Sequence, residues 1–385
     1  MDKIKVYFFL NNSVGGVFSV VKYLLQFRQS DTIEYHIIYA INKEFFSDFK
    51  KPALKGVCSE QIFHYDKNWN FYYTCKMLSK KIPDKSCILI ANDWLELGMI
   101  SMLGLQNPVI QILHGNYPYY YELAVKHQQN IDFFLPVSSV IKKKLQKTLP
   151  DVSDRIYDFR FPIPRIESNK VDHHDFNAIF FVRDVSDVNK QYFKIPVIGK
   201  HLFKKGVKVK WHIVGDGISD ITLDKAWAGS KEVKFYGLLS NIDLIKLLLI
   251  CDVMILPSLK EGFPVSVVEA MKCGVIPLIT DWDGVTEGLV IENKTGFLFD
   301  KDDVEGYVTK IEMLYNDRAR LQQMQKIARD VSEAIFHPEK SAEEFEQIVS
   351  KASSFNRCKI PYRVYGSRLD QKWIPNIVTK FLRKI

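Results

Sequence analysis

The sequence predicts an α/β protein with two Rossmann-like domains, whose parallel sheets face a central cleft, and a last helix that crosses back to the first domain. Two observations predict this class. Short apolar runs alternate with amphipathic segments in both halves of the chain, which is typical of parallel sheets covered by helices on both faces. The length of 385 residues also exceeds what one compact core usually supports. In such sheets, ligands bind beyond the carboxyl ends of the strands.

Five strands are predicted in the first half of the chain, each a short apolar run. They are KVYFFL (5–10), YHIIYA (35–40), CILIA (87–91), VIQILH (109–114) and DFFLPV (132–137). Amphipathic periodicity predicts helices at 17–28, 69–81, 94–104, 119–129 and 139–147. The pattern lapses over residues 150–176, which are rich in proline and acidic residues and are predicted to join the two domains.

The second half repeats the alternation of strands and helices. Its predicted strands are AIFFV (178–182), VKWHIVG (209–215), VKFYG (233–237), DVMILP (252–257), VIPLIT (275–280) and GFLFD (296–300), with helices from 302 onward. We therefore place one Rossmann-like domain at residues 1–165, a second at 166–352 and a tail helix within 353–385, packed on the first domain.

The tail has a second interpretation. Its apolar residues recur at helical spacing, with cationic residues between them. The apolar set is Trp373, Ile374, Ile377, Val378, Phe381, Leu382 and Ile385, and the cations are Lys380, Arg383 and Lys384. Packing onto the first domain is the favoured interpretation, and a basic amphipathic helix that rests on a membrane is the alternative.

Composition narrows the class of protein. A hydrophobic content of 47% with 25% charged residues is typical of a globular chain. No segment reaches the roughly 18 uncharged apolar residues of a membrane span, and the first residues lack a signal-peptide pattern. Six cysteines without C-x-x-C spacing predict reduced thiols in a cytoplasmic protein. The net charge of +8 indicates anionic partners, without choosing between phosphates, nucleic acid and acidic membrane.

Glycines and cations follow several predicted strands. Gly15 and Gly16 precede a helix, whose free amides and partial positive charge suit a phosphate. Their spacing matches neither G-x-G-x-x-G nor a P-loop, so an ordinary turn is the alternative. Arg183 ends a strand and Lys190 follows it. These two cations either grip a diphosphate or form surface salt bridges.

Three further strand ends carry candidate residues. Gly215 begins a Gly-Asp-Gly turn. His114 closes a strand, where contact with substrate is favoured over a purely structural hydrogen bond. Asp93 is a candidate general base, although its position favours a role as N-cap of the helix predicted at 94–104.

The stretch LKEGFPVSVVEAMKCG (259–274) places two carboxylates around a predicted turn and helix. A buried charge is costly without partners, and Glu269 lies too deep in the helix to cap its first turn. One carboxylate can accept hydrogen bonds from two adjacent hydroxyls, as on a ribose. Backbone amides at Phe263 can donate to sugar hydroxyls beside Glu261. We therefore predict that Glu269 holds a nucleoside and Glu261 a hexose of the same ligand.

These residues resemble the retaining glycosyltransferases of family 4, which have the GT-B fold. The resemblance runs from WHIVGDG (211–217) through GFLF (296–299) and includes the E-x7-E element of that family at Glu261 and Glu269. In the first half, only Gly15-Gly16 and His114-Gly115 match, because acceptor domains vary.

The resemblance implies a role for each candidate in an acceptor-binding first domain and a donor-binding second domain. Glu269 would bind ribose hydroxyls, and Glu261 with the backbone of 262–264 would bind the donor sugar, whose pocket His114 lines. The implied donor-binding residues are Gly15, Gly16, Gly215, Gly262, Phe263, Pro264 and Glu269, the catalytic ones His114, Arg183, Lys190 and Glu261, and the acceptor-binding one Asp93.

The resemblance also implies that no metal or other cofactor takes part. Arg183, Lys190 and the Gly16 amide would neutralise the diphosphate, so cations and helix dipoles stabilise the leaving group. The sequence departs from the family pattern here, because six residues separate the two cations and Gln191 follows the second. Lys194 is therefore a rival for Lys190. FPIPRI (161–166) also replaces the Asn-Gly usual at the domain junction.

The expected function is a retaining, metal-independent transfer of a hexose from a UDP- or GDP-sugar to a glycan or lipid-linked acceptor, in cell-surface polysaccharide biosynthesis. One alternative is a nucleotide-sugar 2-epimerase of similar fold. The other is a non-catalytic basic module for nucleic acid, which is disfavoured because the basic patches lack interleaved aromatic residues. No pattern in the sequence selects the base, sugar, acceptor or linkage.

Membrane contact is a further expectation. VIKKKLQK (140–147) places Lys142, Lys143, Lys144 and Lys147 on or near one helix. They form either a solvated helix face or a contact with an anionic membrane that carries a lipid-diphosphate acceptor. The second interpretation would hold a cytoplasmic protein at the inner face of the membrane.

Overall fold

The computed structural model describes residues 3–11, 16–44, 53–182, 188–215, 227, 232–286, 288–363 and 367–384. The chain divides into two compact units. The first consists of Met1–Pro162 together with Pro338–Ile385, and the second of Ile163–His337. Among the described residues, no helix combines the length and apolar content that would carry it across a membrane.

The first unit is built on a six-stranded parallel sheet in the order β3-β2-β1-β4-β5-β6, which is the Rossmann order. Its strands are β1 (Ile4–Leu10), β2 (Ile33–Asn42), β3 (Ser59–Tyr65), β4 (Ile88–Ala91), β5 (Val109–Leu113) and β6 (Phe133–Pro136). Its first helices are α1 (Gly16–Gln26), α2 (Phe71–Ser79), α3 (Trp94–Leu103), α4 (Pro118–His127) and α5 (Ser139–Thr148). Sequence patterning did not predict β3, because this edge strand buries only Phe63 and has little apolar content.

Local sequence sets both ends of α3. Asp93 is the N-cap, and its partnership with Glu96 forms a capping box, as the position of Asp93 before the helix predicted. At the other end, Gly104 adopts a φ of 60° and closes the helix in the left-handed conformation. These two signals fix where the segment after β4 turns into a helix, and therefore which residues remain at the strand end.

The second unit contains another parallel sheet of six strands, in the order β12-β11-β10-β7-β8-β9. The strands are β7 (Phe176–Phe181), β8 (Val209–Val214), β9 (Val233–Phe235), β10 (Val253–Leu256), β11 (Ile276–Thr280) and β12 (Phe297–Phe299). The helices are α6 (Lys194–Lys204), α7 (Asn241–Leu248), α8 (Val265–Lys272), α9 (Val304–Asn316) and α10 (Arg318–Ile335). The sheet repeats the Rossmann order, so two Rossmann-like domains with parallel sheets are confirmed.

The chain returns to the first unit earlier than the boundary at residue 352 suggested. Helix α11 (Pro338–Ser353) packs Phe345 against Phe8, with the ring centroids 6.1 Å apart. Its Glu346 accepts hydrogen bonds from the amides of Gln29 and Ser30. The predicted boundary at residue 352 had placed α11 in the second domain, because amphipathic periodicity reveals that a helix buries one face but not which sheet covers that face.

The tail is anchored to the first unit by an ion pair. Lys359 Nζ lies 2.6 Å from Asp132 Oδ2, and each side chain is only 1% exposed. Burial lowers the pKa of Lys359, although the charge of Asp132 opposes this. Of the six cysteines, Cys75, Cys87, Cys251 and Cys273 are buried, and Cys58 and Cys358 are exposed.

Candidate active site

Three neighbouring strands of the second unit end at one edge of their sheet. β7 pairs in parallel with β8 on one side and with β10 on the other. The segments that follow these strands therefore emerge side by side. They carry Lys190, Gly215 and Glu261, so the sheet topology groups three of the predicted site residues.

A backbone clamp joins the segment after β7 to the turn after β10. The Asn189 carbonyl accepts a hydrogen bond from the Leu259 amide at 2.8 Å. The Asn189 side chain accepts from the Lys260 amide and donates to the Lys260 carbonyl, both at 2.9 Å. This asparagine thus pairs with a stretch of backbone as a neighbouring strand would, and it fixes the residues next to it on both segments.

An ion pair lies beside this clamp. Lys190 Nζ donates to Glu261 Oε1 at 2.5 Å, and the two side chains are 25% and 12% exposed. Partial burial reduces solvent screening, so the attraction exceeds that of a typical surface pair. The predicted sugar-binding carboxylate and one of the predicted phosphate-binding cations are therefore neighbours.

The structure separates the two candidate cations. Lys194 is the first residue of α6 and is buried. Its ammonium donates to the Lys301 carbonyl and lies 3.1 Å from Asp302 Oδ1. These partners belong to the segment between β12 and α9, whereas Lys190 contacts Glu261. Lys190 is therefore the better candidate for the second cation.

The glycine-bearing turn leads directly into α8. Pro264 is the N-cap rather than the first helical residue, and Val265 begins the helix. The Phe263 ring packs against Phe336 at a centroid distance of 5.3 Å. This contact holds the half-buried ring against Phe336. The role of the 262–264 backbone as a contact for sugar hydroxyls stays a prediction.

Glu269 lies in the second turn of α8 and is half-buried. The helix is held in place by Lys272, a fully buried residue whose ammonium donates to the carbonyls of Ile163 and Phe336 at 2.7 and 2.8 Å. Glu333 completes its partners at 3.2 Å. The buried lysine fixes the rotation of α8 and thereby the direction in which Glu269 projects.

Gly215 is required by the backbone. It has a φ of 132°, and a Cβ at this position would lie 1.8 Å from the Val182 carbonyl oxygen. The end of β8 and the end of β7 are thus in close contact at Gly215. Val182 immediately precedes Arg183, but Arg183 and Gly15 lie outside the described residues. Their predicted roles stay predictions.

The first unit gathers its predicted residues at one sheet edge in the same way. β1, β4 and β5 are adjacent and parallel. Gly16 is the first residue of α1, the helix that follows β1, while Asp93 follows β4 and His114 follows β5. The three residues therefore lie beyond the carboxyl ends of neighbouring strands, where ligands bind in open sheets.

The hydrogen bonds around His114 indicate a neutral imidazole and define its tautomer. Its Nε2 lies 2.8 Å from Asn92 Oδ1, and Asn92 Nδ2 donates to the Phe9 carbonyl at 2.9 Å. Because the amide nitrogen is used on Phe9, the oxygen faces the ring and Nε2 carries the proton. Burial lowers the pKa of His114 to about 3. Nδ1 is therefore an acceptor at neutral pH, which suits a sugar hydroxyl rather than a phosphate.

Asp93 is committed to several hydrogen bonds. Its carboxylate accepts from the Trp94 amide at 2.7 Å and from the Tyr119 hydroxyl. Glu96 is buried below it and accepts from the amides of Asn92 and Asp93 at 2.7 and 2.6 Å. Burial, followed by the charge of Asp93, raises the pKa of Glu96 to about 8. The predicted N-cap role of Asp93 is confirmed, and its contact with an acceptor stays a prediction.

Sequence reasoning missed three residues that organise these sites. Asn189 forms the clamp, Asn92 orients His114, and Glu96 completes the cap beneath Asp93. Only Glu96 had a usable signal, since Asp93 followed three residues later by glutamate is a capping-box pattern. The two asparagines act through contacts distant in sequence, which local patterns do not reveal.

A cavity of about 270 Å³ in the second unit lies elsewhere. Its lining includes Lys170, His173, Asp252 and Arg318. Asp252 precedes β10 and His173 precedes β7, so the cavity is at the amino edge of the sheet, opposite the predicted site.

Among the described residues, no group of three or more histidine, cysteine or acidic side chains is placed to hold a metal ion.

Solved structures show the class of fold. The chain is 12% identical to the pneumococcal O-GlcNAc transferase GtfA in complex with UDP and GlcNAc, covering 92% of this chain and all of the other, with a TM-score of 0.72. Anabaena HepE in complex with UDP and glucose gives 16% identity, coverage of 90% and 100%, and a TM-score of 0.69. At these identities the similarity shows that the chain has the two-domain fold of these GT-B structures.

Residues 168–331 match the family described as glycosyl transferases group 1. Over 137 residues the chain is 33% identical to the sulfoquinovosyl transferase SQD2 of Arabidopsis thaliana, covering 35% of this chain and 26% of that protein. A shorter alignment of 47 residues is 49% identical to the N,N'-diacetylbacillosaminyl-diphospho-undecaprenol alpha-1,3-N-acetylgalactosaminyltransferase of Campylobacter jejuni, covering 12% of each chain. The chain thus spans 26% and 12% of the lengths of these two relatives.

A longer alignment relates the chain to EpsD of Bacillus subtilis, described as a glycosyltransferase. The two are 24% identical over 303 residues, which cover 74% of this chain and 69% of EpsD. This alignment extends well beyond the domain that carries the family match. All three sequence relatives are named as transferases, and the solved structures share the fold of the chain.

Proposed function

We propose that the chain is a retaining, metal-independent glycosyltransferase that moves a hexose from a UDP- or GDP-sugar to a glycan or lipid-linked acceptor. The observation that carries this proposal is the Lys190–Glu261 pair at the carboxyl edge of the second sheet. It joins a cation for a diphosphate to a carboxylate for a sugar, inside a domain of the glycosyl transferases group 1 family.

The donor is held at two ends in this proposal. Glu269 accepts hydrogen bonds from the ribose hydroxyls, and Glu261 with the 262–264 backbone contacts the hexose. Lys190 and Arg183 neutralise the diphosphate. Support for a nucleotide-sugar donor comes from HepE and GtfA, which were solved with UDP and a sugar.

The proposed reaction keeps the configuration of the sugar. The bond between the anomeric carbon and the phosphate oxygen breaks, while the acceptor oxygen bonds to the same face of that carbon. The departing phosphate oxygen takes the acceptor proton, so no protein base is assigned. Lys190 and the backbone amides stabilise the negative charge on the leaving diphosphate, which replaces a metal ion in this role.

The pairing with Lys190 gives Glu261 a defined orientation before the donor binds. In this proposal the Lys190 ammonium attracts both the Glu261 carboxylate and the diphosphate. A lysine ammonium has three donors that can be shared between two acceptors. If Lys190 stays paired with Glu261 during the reaction, the lysine remains directed into the site while the diphosphate leaves.

The acceptor and the location are also part of the proposal. The Campylobacter jejuni relative is named for a diphospho-undecaprenol substrate, which supports a lipid-linked acceptor. A role in the synthesis of cell-surface polysaccharide, which the resemblance at Glu261 and Glu269 implied, is part of the same proposal. We accordingly propose a cytoplasmic protein that contacts the inner face of an anionic membrane, where such an acceptor is presented.

Calorimetric titration with UDP and GDP, with and without chelator, tests the proposal. Binding of one nucleotide that is unchanged by chelator supports it. Nucleic acid binding without nucleotide binding would instead favour the basic module. Incubation with nucleotide sugars in the absence of an acceptor identifies a 2-epimerase, because that enzyme releases an altered nucleotide sugar while a transferase leaves the sugar configuration unchanged.

A further inference from the structure

The helix α12 (Asn376–Leu382) is attached to the first unit by its polar residues. Thr379 is fully buried, and its hydroxyl donates to the Leu369 carbonyl at 3.2 Å. Asn376 Oδ1 accepts from the Asn70 amide at 2.9 Å. Arg383 pairs with Asp370 at 2.8 Å. An amphipathic helix on a globular protein normally buries its apolar side, so this orientation is reversed.

Further hydrogen bonds hold the tail against the first unit. Asn70, a buried residue, uses its Nδ2 on the carbonyls of Leu369, Gln371 and Ile374 at 2.9 to 3.0 Å. The Arg383 guanidinium also donates to the Trp69 carbonyl at 2.6 Å. The orientation of α12 is therefore fixed by buried hydrogen bonds and an ion pair, which specify geometry more tightly than apolar contacts do.

The reversed orientation leaves a large apolar surface exposed. Trp373, Ile377 and Phe381 recur every four residues and are 74%, 77% and 67% exposed. Leu382 and Val378 are 46% and 42% exposed. We call these five residues the α12 surface. An exposed apolar cluster of this kind marks an interaction site.

The segment that carries the α12 surface is basic, although Arg383 is paired with Asp370. Between Gln371 and Lys384 the sequence contains four cationic residues and no acidic residue. Lys372 is exposed, and the Lys380 ammonium lies 4.9 Å from the centre of the Trp69 ring. Tyr73 packs edge-on against Trp69, at a centroid distance of 5.7 Å. Tryptophan and tyrosine combined with lysine are typical of the interface between a membrane and water.

The lysines of α5 are less suited to the same task. Lys142 pairs with Asp158 at 2.7 Å, and the Lys144 ammonium lies 4.5 Å from the centre of the Tyr121 ring. Of the apolar residues of α5, Ile141 and Leu145 are buried in the first unit and Val140 is half-buried. That helix therefore offers charge without an apolar side to insert, whereas the α12 surface offers both.

We propose that the α12 surface inserts into the interface of an anionic lipid bilayer. Trp373, Ile377 and Phe381 would enter the boundary between headgroups and acyl chains, and Lys372 and Lys380 would contact acidic headgroups. The inference deepens the membrane contact of the proposed function by assigning it to one surface. It does not depend on the transfer reaction.

Vesicle flotation tests the assignment with the full chain. The probes are phosphatidylcholine vesicles with and without phosphatidylglycerol. We expect binding to the anionic vesicles, and a loss of affinity by roughly tenfold or more for I377S/F381S, which is about 1.4 kcal/mol or greater. F203S removes an equally exposed phenylalanine from α6 and should leave binding unchanged. K372E/K380E should lower affinity for anionic vesicles selectively.

Two further measurements separate the alternatives. Trp373 fluorescence should shift to the blue on vesicle addition, and W373F should abolish the shift. The charge-reversal variant K142E/K143E/K147E should bind vesicles as the natural sequence does. If that variant alone loses binding, α5 is the contact and the assignment to α12 is wrong.

Circular dichroism establishes that each variant is folded. UDP titration shows whether the donor site is intact, so that a change in vesicle binding can be distinguished from a change in donor binding. Vesicle binding that survives I377S/F381S in a folded protein overturns the inference, even if UDP binds. A dimer that becomes a monomer in I377S/F381S, without any vesicle binding, also overturns it, because a second copy of the chain would then cover the α12 surface.

Discussion

Lys190 Nζ and Glu261 Oε1 lie 2.5 Å apart, although 71 positions separate the two residues in the sequence. Parallel strands β7 and β10 bring them together, and the Asn189 clamp holds the two backbones in register. The pair places positive charge beside the residue expected to contact the sugar.

Replacement of Lys190 by methionine should impair the reaction more than it impairs folding. The variant K190M removes a cation from the position assigned to the leaving diphosphate, so we expect kcat to fall by roughly 10² to 10³. Steady-state kinetics with the nucleotide sugar identified by calorimetry measure this. K194M removes the neighbouring cation of α6 and should lower thermal stability while turnover remains. Equal losses of turnover in both variants would contradict the assignment.

Replacement of the two acids should separate binding from turnover. E269A should weaken nucleotide binding by about 1–3 kcal/mol, because the ribose hydroxyls lose their acceptor. E261A should reduce kcat more than nucleotide affinity, because Glu261 is assigned to the sugar. Titration calorimetry with the free nucleotide, combined with kinetics, distinguishes the two effects. Nucleotide binding that is reduced only in E261A would exchange the two roles.

Gly215 should tolerate no side chain. In G215A the new Cβ would clash with the Val182 carbonyl, and alanine at a φ of 132° is strained. We expect unfolding free energy to fall by about 1–3 kcal/mol and nucleotide affinity to fall with it, since Val182 precedes Arg183. Gly237 has a φ of 65° with open space around it, which makes G237A the matched control. Thermal unfolding should show a smaller loss for G237A.

Acid should destabilise the protein partly through His212. Burial lowers the pKa of His212 to about 4, and the ring contacts Asn177 and Tyr236 at 2.9 and 2.8 Å. Below an unfolded-state pKa of about 6.5, the unfolded chain binds a proton that the native chain excludes. Stability therefore falls as pH drops from about 6.5 to about 4, by about 1.4 kcal/mol per pH unit from this residue.

The variant H212N should remove that contribution. Urea unfolding at several pH values within this window should give a shallower pH dependence for H212N than for the natural sequence, even if the variant is less stable at neutral pH. Glu96 acts in the opposite direction, because its pKa is raised to about 8 and its stabilising effect is lost as pH rises. Parallel pH profiles for the two proteins would rule out His212 as a source.

The buried pair of Lys359 and Asp132 should be essential to the first unit. In K359M the Asp132 carboxylate would remain buried without its cation, which we expect to cost about 3–5 kcal/mol of unfolding free energy. K142M breaks the exposed pair with Asp158 in the same unit and should cost less than about 1 kcal/mol. Chemical denaturation compares the two. Addition of D132N to K359M should recover part of the loss.

The resemblance at residues 211–299 lies within residues 168–331, which match the family of glycosyl transferases group 1. The alternation of apolar and amphipathic segments likewise predicted both parallel sheets. Strand β3 was not predicted because this edge strand buries only one apolar residue in the core, which leaves no apolar run in the sequence. The cap at Asp93 was predictable, since the interaction that forms it spans three residues.

The sequence by itself determined the residue types at each strand end, including the two acids 261 and 269, the cations that follow β7, and the apolar set of the tail. These features depend on local periodicity and spacing, which are visible in the sequence without knowledge of the fold. Only the tertiary structure decided that Lys190 rather than Lys194 meets Glu261, that α11 belongs to the first unit, and that α12 turns its apolar residues outward. The physical reason is that each of these outcomes depends on contacts between residues tens to hundreds of positions apart. Hydrogen bonds such as those of Asn189 and Asn70 fix such contacts, and their partners are specified by the packed sheets and not by the neighbouring sequence.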